Sequence, residues 1–350
     1  MSTGLRLPGA SRHETIHRAA VPSTTLRRWI GSCLPCLLIL TSSIGNAQSG
    51  PVPPPPGAET APPPISIVSQ LVVLPVNVTD AHGDFVSGLT ENNFQVYEEN
   101  RLQNLTVFEQ EDTPVSVGLV VDHSASMKPK LASVIEAISA FAISGNSKDE
   151  MFVVDFNDNV TVKPQGEKPF TNNADELGKA AEAVVPSGRT ALYDAMAKGL
   201  DHLKLGQWQK KALVVISDGG DNASLFKYSD ILALARQSQV MIYSIILLDQ
   251  TSDEQNPKML QRLCKETGGI AYLPDSQRSV VDLSLFIARD LRQQYTVGFV
   301  PENRGTGNSF RRIQVRVTAP KQGKVHVRTR SGYTLASKNS GSEGLANGMR

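Results

Sequence analysis

Apolar residues follow three different rhythms along this chain. In the first, Val72, Leu74, Val76 and Val78 share one face, followed by Phe94 and Val96 and then Leu105 and Val107, with the turn-rich strings DAHGD and EENR between them. Period two of this kind predicts the strands of a small antiparallel β unit. In the second, Val115 to Val121, Met151 to Val154, Ala212 to Ile216 and Val240 to Leu248 are continuous apolar runs, the signature of strands buried on both faces. Helical spacing separates them: Leu177, Ala180, Ala181 and Val184; Leu192, Ala195, Met196, Leu200 and Leu203; Met259, Leu260, Leu263 and Cys264; Leu283, Ile287 and Leu291. A further short strand fits GIAYLP from Gly269. Alternating strands and helices predict an α/β domain, a doubly wound, mostly parallel, Rossmann-like sheet with helices on both faces. After Gln294 the third rhythm restores period two, in Tyr295, Val297 and Phe299, in Ile313, Val315 and Val317, and in Val325 and Val327. Neither flank alone has enough strands to be stable in water, so the N- and C-terminal strands are expected to pair into one small antiparallel β-sandwich.

The two ends read differently. Arg27-Arg28, an apolar stretch densest from Leu34 to Leu40 and small residues at Gly45-Asn46-Ala47 predict an export signal over residues 1–47, too short and interrupted for a stable transmembrane anchor. A proline-rich linker, 48–64, follows. The remaining expected organisation is 65–112 for the first part of the sandwich, 113–291 for the α/β domain, 292–335 for the second part of the sandwich and 336–350 for a polar tail without a core.

Composition narrows the function. Lys plus Arg total 35 against 34 Asp plus Glu, a net charge of +1, so nothing global draws the chain to nucleic acid. Removal of the leader takes Cys33 and Cys36 with it, leaving Cys264, which the helical spacing places in a core rather than in chemistry. The string His13-Glu14-Thr15-Ile16-His17 has zinc-protease spacing but lies in the leader without an amphipathic helix to hold it, so it is read as coincidence.

The informative chemistry stands at the ends of the buried strands. VDHSASM, after the first of them, presents Asp122, Ser124 and Ser126 at alternate positions; PSGRTALYDAM places Thr190 just before a helix; and VVISDGGDNAS ends a later strand at Asp218. In an open α/β sheet these ends form the ligand crest. Five oxygen donors with no thiolate or imidazole suit a hard divalent cation, with Mg²⁺ preferred and Mn²⁺ or Ca²⁺ as alternatives. Only two of the donors carry charge, which leaves the ion electrophilic toward an anionic oxygen from outside, an Asp or Glu carboxylate of a protein partner. Around these, His123 is expected on the rim, where its titration would give pH-dependent binding. Asp194 is read either as an acid complementing a helix dipole or as indirect support for the metal ligands. Asp221, with Asn222, is read as shaping its loop.

DHSASM, SGRTALYDAM and ISDGGDNAS resemble the three loops of the metal-ion-dependent adhesion site of von Willebrand factor A-type domains, over Val115 to Leu291. The resemblance implies that Ser124 and Ser126 ligate the metal directly, and Thr190, Asp122 and Asp218 directly or through water. His123, Ala125, Arg189 and Ser217 stand where that family more often has threonine, glycine, glycine and threonine. The flanking strings VNVTDAHGDFVSGLTENNFQVYEEN and RTRSGYTLAS are similar to a family of secreted A-type domain proteins from acidobacterial genomes. The function implied is a non-catalytic adhesion module. The alternatives are a structural envelope or scaffold protein with metal-independent contacts and, further off, a metal-dependent hydrolase; no G-x-S-x-G elbow or G-x-x-x-x-G-K loop supports catalysis.

Overall fold

A computed structural model describes residues 71–334 except 111, 249–254, 276–277, 303–309 and 321. The expected leader, linker and polar tail lie outside the described residues. In chain order the elements begin with β1 (Val72–Thr79), β2 (Phe94–Glu98), β3 (Arg101–Gln103) and β4 (Leu105–Glu109). The α/β portion follows as β5 (Val115–Asp122), α1 (Leu131–Ile143), β6 (Glu150–Phe156), β7 (Val160–Lys163), α2 (Ala174–Glu182), α3 (Leu192–His202), β8 (Lys210–Ser217), α4 (Tyr228–Gln237), β9 (Met241–Ile246), α5 (Pro257–Thr267), β10 (Ala271–Tyr272) and α6 (Val280–Arg292). The chain then returns to strands in β11 (Tyr295–Phe299), β12 (Phe310–Val317), β13 (His326–Arg328) and β14 (Gly332–Thr334).

The expected fold class is the one observed. The central sheet has the order β10-β9-β8-β5-β6-β7, parallel throughout except for β7, which pairs antiparallel with β6. Every residue of β5 is buried because helices cover both faces. Val115, Val117, Leu119 and Val121 pack with α1, α2 and α6, whereas Val120 shares a second core with α3, α4 and α5. Two helices were not anticipated. Of these, α1 carries one charged residue, Glu136, in thirteen, so it lacks the polar face from which a period is read; α4 buries only Ile231 and Ala235.

The flanking strands form two four-stranded antiparallel sheets, β13-β1-β11-β4 and β14-β12-β2-β3. Each therefore mixes strands from before and after the α/β portion. Their inner faces share one core that includes Leu74, Val76, Phe94, Tyr295 and Phe299. The EENR turn is a two-residue hairpin loop between β2 and β3, with Glu99 and Asn100 at φ 46° and 65°, the left-handed pair that matches strand twist. The sandwich is tied to the α/β portion at Asp290 of α6. That carboxylate receives Arg328 Nη2 at 2.6 and 2.7 Å, Asn77 Nδ2 at 2.8 Å and the Tyr243 hydroxyl at 2.6 Å.

Candidate metal centre

The chain leaves β5 for β6 on one side and later returns with β8 on the other. The carboxyl ends of β5 and β8 consequently border the point where strand order reverses, the place at which open α/β sheets leave a crevice. Asp122 is the last residue of β5, and Asp218 directly follows β8.

Three loops meet there. Asp122 is fully buried; its Oδ1 accepts from the Ser124 amide at 2.8 Å and its Oδ2 from the Ser217 hydroxyl at 2.6 Å. Ser124 Oγ lies 3.2 Å from Ser126 Oγ, which donates to Asp218 Oδ2 at 2.8 Å. Asp218 is fixed in turn by the Gly220 amide on its Oδ1 at 3.0 Å, in a turn that Gly219 makes possible with φ 84°. Thus Asp122, Ser124, Ser126 and Asp218 form one hydrogen-bonded cluster, assembled from positions nearly a hundred residues apart in sequence.

Thr190 enters from the third loop. Its amide donates to Asn222 Oδ1 at 2.9 Å, and its carbonyl accepts from the amides of Asn222 and Ala223 at 3.0 and 3.1 Å. Its hydroxyl makes no hydrogen bond among the described residues. The same loop touches the first one, with the Ser187 amide on the His123 carbonyl at 2.9 Å. Beneath it, Asp158 in the turn between β6 and β7 accepts from the Arg189 amide and Nε, each at 2.9 Å. Gly188, at φ 76°, has no room for a side chain: a Cβ would stand 1.9 Å from Asp158 Oδ2. Arg189 is therefore compatible with this loop because it turns outward onto Asp158.

Of the surrounding residues, one departs from its expected place. His123 is not on the rim. It is fully buried, its Nε2 lies 2.8 Å from the Ala181 carbonyl in the last turn of α2, and its Nδ1 is 3.6 Å from Asp155. The reason is the alternation that carries Asp122 and Ser124 to the crest, which sends the intervening side chain inward. Asp194 accepts the amides of Leu225 and Phe226 at 2.9 to 3.0 Å, so it clamps the loop after Asp218. Asp221 accepts the Tyr193 amide at 3.1 Å and the Ser224 hydroxyl at 2.5 Å, joining the same loop to the start of α3. Ser217, Asn222 and Asp158 emerge as supports. The first two stand inside ISDGGDNAS; Asp158 has no local signal, because its partner is 31 residues away.

Electrostatics give the cluster its character. Burial pushes the Asp122 carboxyl above the ordinary carboxylate range, opposed by its hydrogen bonds from Ser124 and Ser217, and the charge of Asp218 adds to the push. No Lys, Arg or His side chain pairs with either aspartate among the described residues. Nor does any group of three or more His, Cys, Asp and Glu residues gather in metal-holding fashion among them. The joined donors are instead two carboxylates with the hydroxyls of Ser124 and Ser126, a set that fits a hard cation, and Thr190 stands on the adjoining loop. Neighbouring oxygens around an octahedral ion with bonds of about 2.0–2.1 Å stand about 2.8–3.0 Å apart. The Ser124–Ser126 and Ser126–Asp218 separations of 3.2 and 2.8 Å are close to that spacing.

Residues 117–220 match a family model described as the von Willebrand factor type A domain. No curated protein matches the chain. Among solved structures the chain is similar to a von Willebrand factor type A structure from Catenulispora acidiphila, at 11% identity and a TM-score of 0.45 over 78% of this chain and 76% of that one. It is similar to an aerotolerance-related membrane protein from Bacteroides fragilis carrying multiple mutations to serine, at 18% identity and a TM-score of 0.42 over 51% and 98%. It is also similar to the PilB minor pilin from Streptococcus sanguinis, at 14% identity and a TM-score of 0.38 over 53% and 63%. The matched segment, less than a third of the chain, runs through Asp122, Ser124, Ser126, Thr190 and Asp218, and it is this segment that is similar to the von Willebrand factor type A domain.

Proposed function

We propose that this is a secreted, non-catalytic binding protein whose crest holds a divalent cation, Mg²⁺ in preference to Mn²⁺ or Ca²⁺, and through it captures an Asp or Glu carboxylate of a protein partner. The observation that carries the reading is the Asp122–Ser124–Ser126–Asp218 cluster. It contains two acids at the sheet's switch point, one of them fully buried, with neutral donors and no side-chain cation.

In this reading Ser124, Ser126 and Thr190 present hydroxyl oxygens, and Asp122 and Asp218 supply the negative charge. Ser217 and the Ser124 amide hold Asp122 in place, while Asn222 holds the Thr190 loop. A divalent cation bound there supplies a Lewis-acidic position for an incoming anionic oxygen. Catalysis is disfavoured because the histidine nearest in sequence, His123, turns away to the Ala181 carbonyl and is buried from any substrate. Export by the N-terminal segment and membership of the secreted acidobacterial group belong to this proposal. Among the described residues no helix is long and apolar enough to cross a membrane.

The test is calorimetric titration of the purified chain with Mg²⁺ and Mn²⁺, followed by capture of partners from extracts of the native organism with and without chelator. Saturable metal binding that Asp122→Ala removes, and capture that chelator abolishes, support the proposal. Equal, negligible heats from both proteins favour the scaffold alternative.

A further inference from the structure

A second site lies away from the crest, in a groove of about 800 Å³ where α5, β10, β12 and β13 meet. Four basic side chains line it, Lys265, His326, Arg328 and Arg330, and among the described residues no Asp or Glu does. In a chain with nearly equal numbers of acids and bases, this is a local excess.

The four side chains are not equivalent. Arg328 is neutralised by Asp290. Arg330, 7% exposed, is held by carbonyl oxygens: its Nε donates to Gly332 at 2.7 Å and its Nη2 to Ser238 at 2.8 Å and Arg236 at 3.1 Å. Those partners fix the guanidinium without cancelling its charge, and burial with no acid beside it pulls Arg330 down to about 10. Lys265 and His326 are exposed and form no ion pair among the described residues. An anion entering the groove thus meets the buried Arg330 guanidinium, the exposed Lys265 ammonium and the exposed imidazole of His326.

The shape of the walls selects among anions. They are consecutive backbone runs, Gly269 to Ala271 on one side and His326 to Ser331 on the other. Each run enters an edge strand, at Ala271 of β10, which ends the order of the six-stranded sheet, and at His326 to Arg328 of β13, which ends that of its four-stranded sheet. Edge strands leave main-chain groups open to pairing with an extended chain. At about 3.3 Å per residue, β13 from His326 to Arg328 offers an edge for a short extended segment.

We propose that this groove is a binding site, independent of the crest, for an extended acidic peptide segment. Its carboxylates face Lys265, His326 and Arg330, and its backbone lies along the strand edges.

The test uses the intact chain in chelator, so that the crest contributes nothing, and a fluorescent oligoglutamate peptide with oligoglutamine as control, read by anisotropy. The oligoglutamate binds and oligoglutamine does not. Binding weakens with salt and falls about tenfold in the Lys265→Glu/His326→Glu double variant, two exposed positions whose fold is checked by melting. Asp122→Ala leaves it unchanged. No binding of oligoglutamate, equal binding of oligoglutamine, or indifference to the charge reversals overturns the proposal. Binding of inorganic phosphate or a sulfated polysaccharide with oligoglutamate excluded overturns the peptide assignment.

Discussion

Two aspartates, one partly buried and one fully buried, show how differently the same side chain is treated in this molecule. Asp290, at the junction of α6 with the sandwich, is surrounded by a guanidinium, a tyrosine hydroxyl and an amide, so its charge is balanced by the protein itself. Asp122, at the crest, is more deeply buried, yet it receives only a hydroxyl and an amide N–H and faces a second acid. A buried carboxylate left in that state costs stability unless a cation arrives from outside. The junction is balanced as folded; in the proposed function the crest is balanced by a cation.

The contrast can be broken at the junction first. Arg328→Ala leaves Asp290 without its guanidinium and is expected to destabilise the chain by about 3 kcal/mol, measured by denaturant unfolding. Mg²⁺ binding should survive in whatever fraction stays folded. At the crest the expected pattern is reversed. Asp122→Asn should leave the metal-free protein as stable or more so, because it removes a charge that burial already disfavours. It should also abolish a metal-dependent stabilisation that in the parent reaches about 2.7 kcal/mol at a hundredfold excess of Mg²⁺ over its Kd. Thermal melts with and without Mg²⁺ decide this.

Lys210, at the start of β8, sharpens the comparison through pH. Burial, with Arg292 adding to it, pulls this amine down to about 8 against the attraction of Asp112, Asp149 and Asp290. The folded protein then binds the proton less well than the unfolded chain, so the charged lysine costs stability below about pH 8. That cost is relieved as pH rises from about 8 toward the unfolded value of about 10.4. Lys210→Met should therefore be the more stable protein at neutral pH, by about 1 kcal/mol, with the gap closing through that window in unfolding measurements taken across the pH range. The smallest effect is expected at Arg189, whose pair with Asp158 is solvent-exposed. Arg189→Ala should change stability by no more than about 0.5 kcal/mol and leave the Mg²⁺ titration unchanged.

Much of this was legible in the sequence, for identifiable reasons. Continuous apolar runs give away β5, β6, β8 and β9 because a parallel sheet buries both faces, and period two gives away the sandwich strands because each shows one face to water. Asp122, Ser124, Ser126 and Asp218 could be placed together because strand ends converge at a switch point. The failures lie where tertiary partners decide. His123 follows a strand end and reads as exposed, but the carbonyl that receives its ring belongs to Ala181, 58 residues later. For Asp194 the sequence leaves a helix-dipole role and support of the crest open, and only the Leu225 and Phe226 amides that close on it show that it holds the loop after Asp218. Nothing local in Asp158 announces that it supports the loop carrying Thr190, and α1 has no polar stripe to betray it.

Whether the crest takes up one cation, as proposed, and the junction none is tested most directly by a crystal soaked in Mn²⁺ and examined for anomalous scattering. The account predicts a single strong peak bonded to the hydroxyls of Ser124 and Ser126, beside Asp218, and none at Asp290. A peak at Asp290, or an empty crest with Ser126 still donating to Asp218, would contradict it.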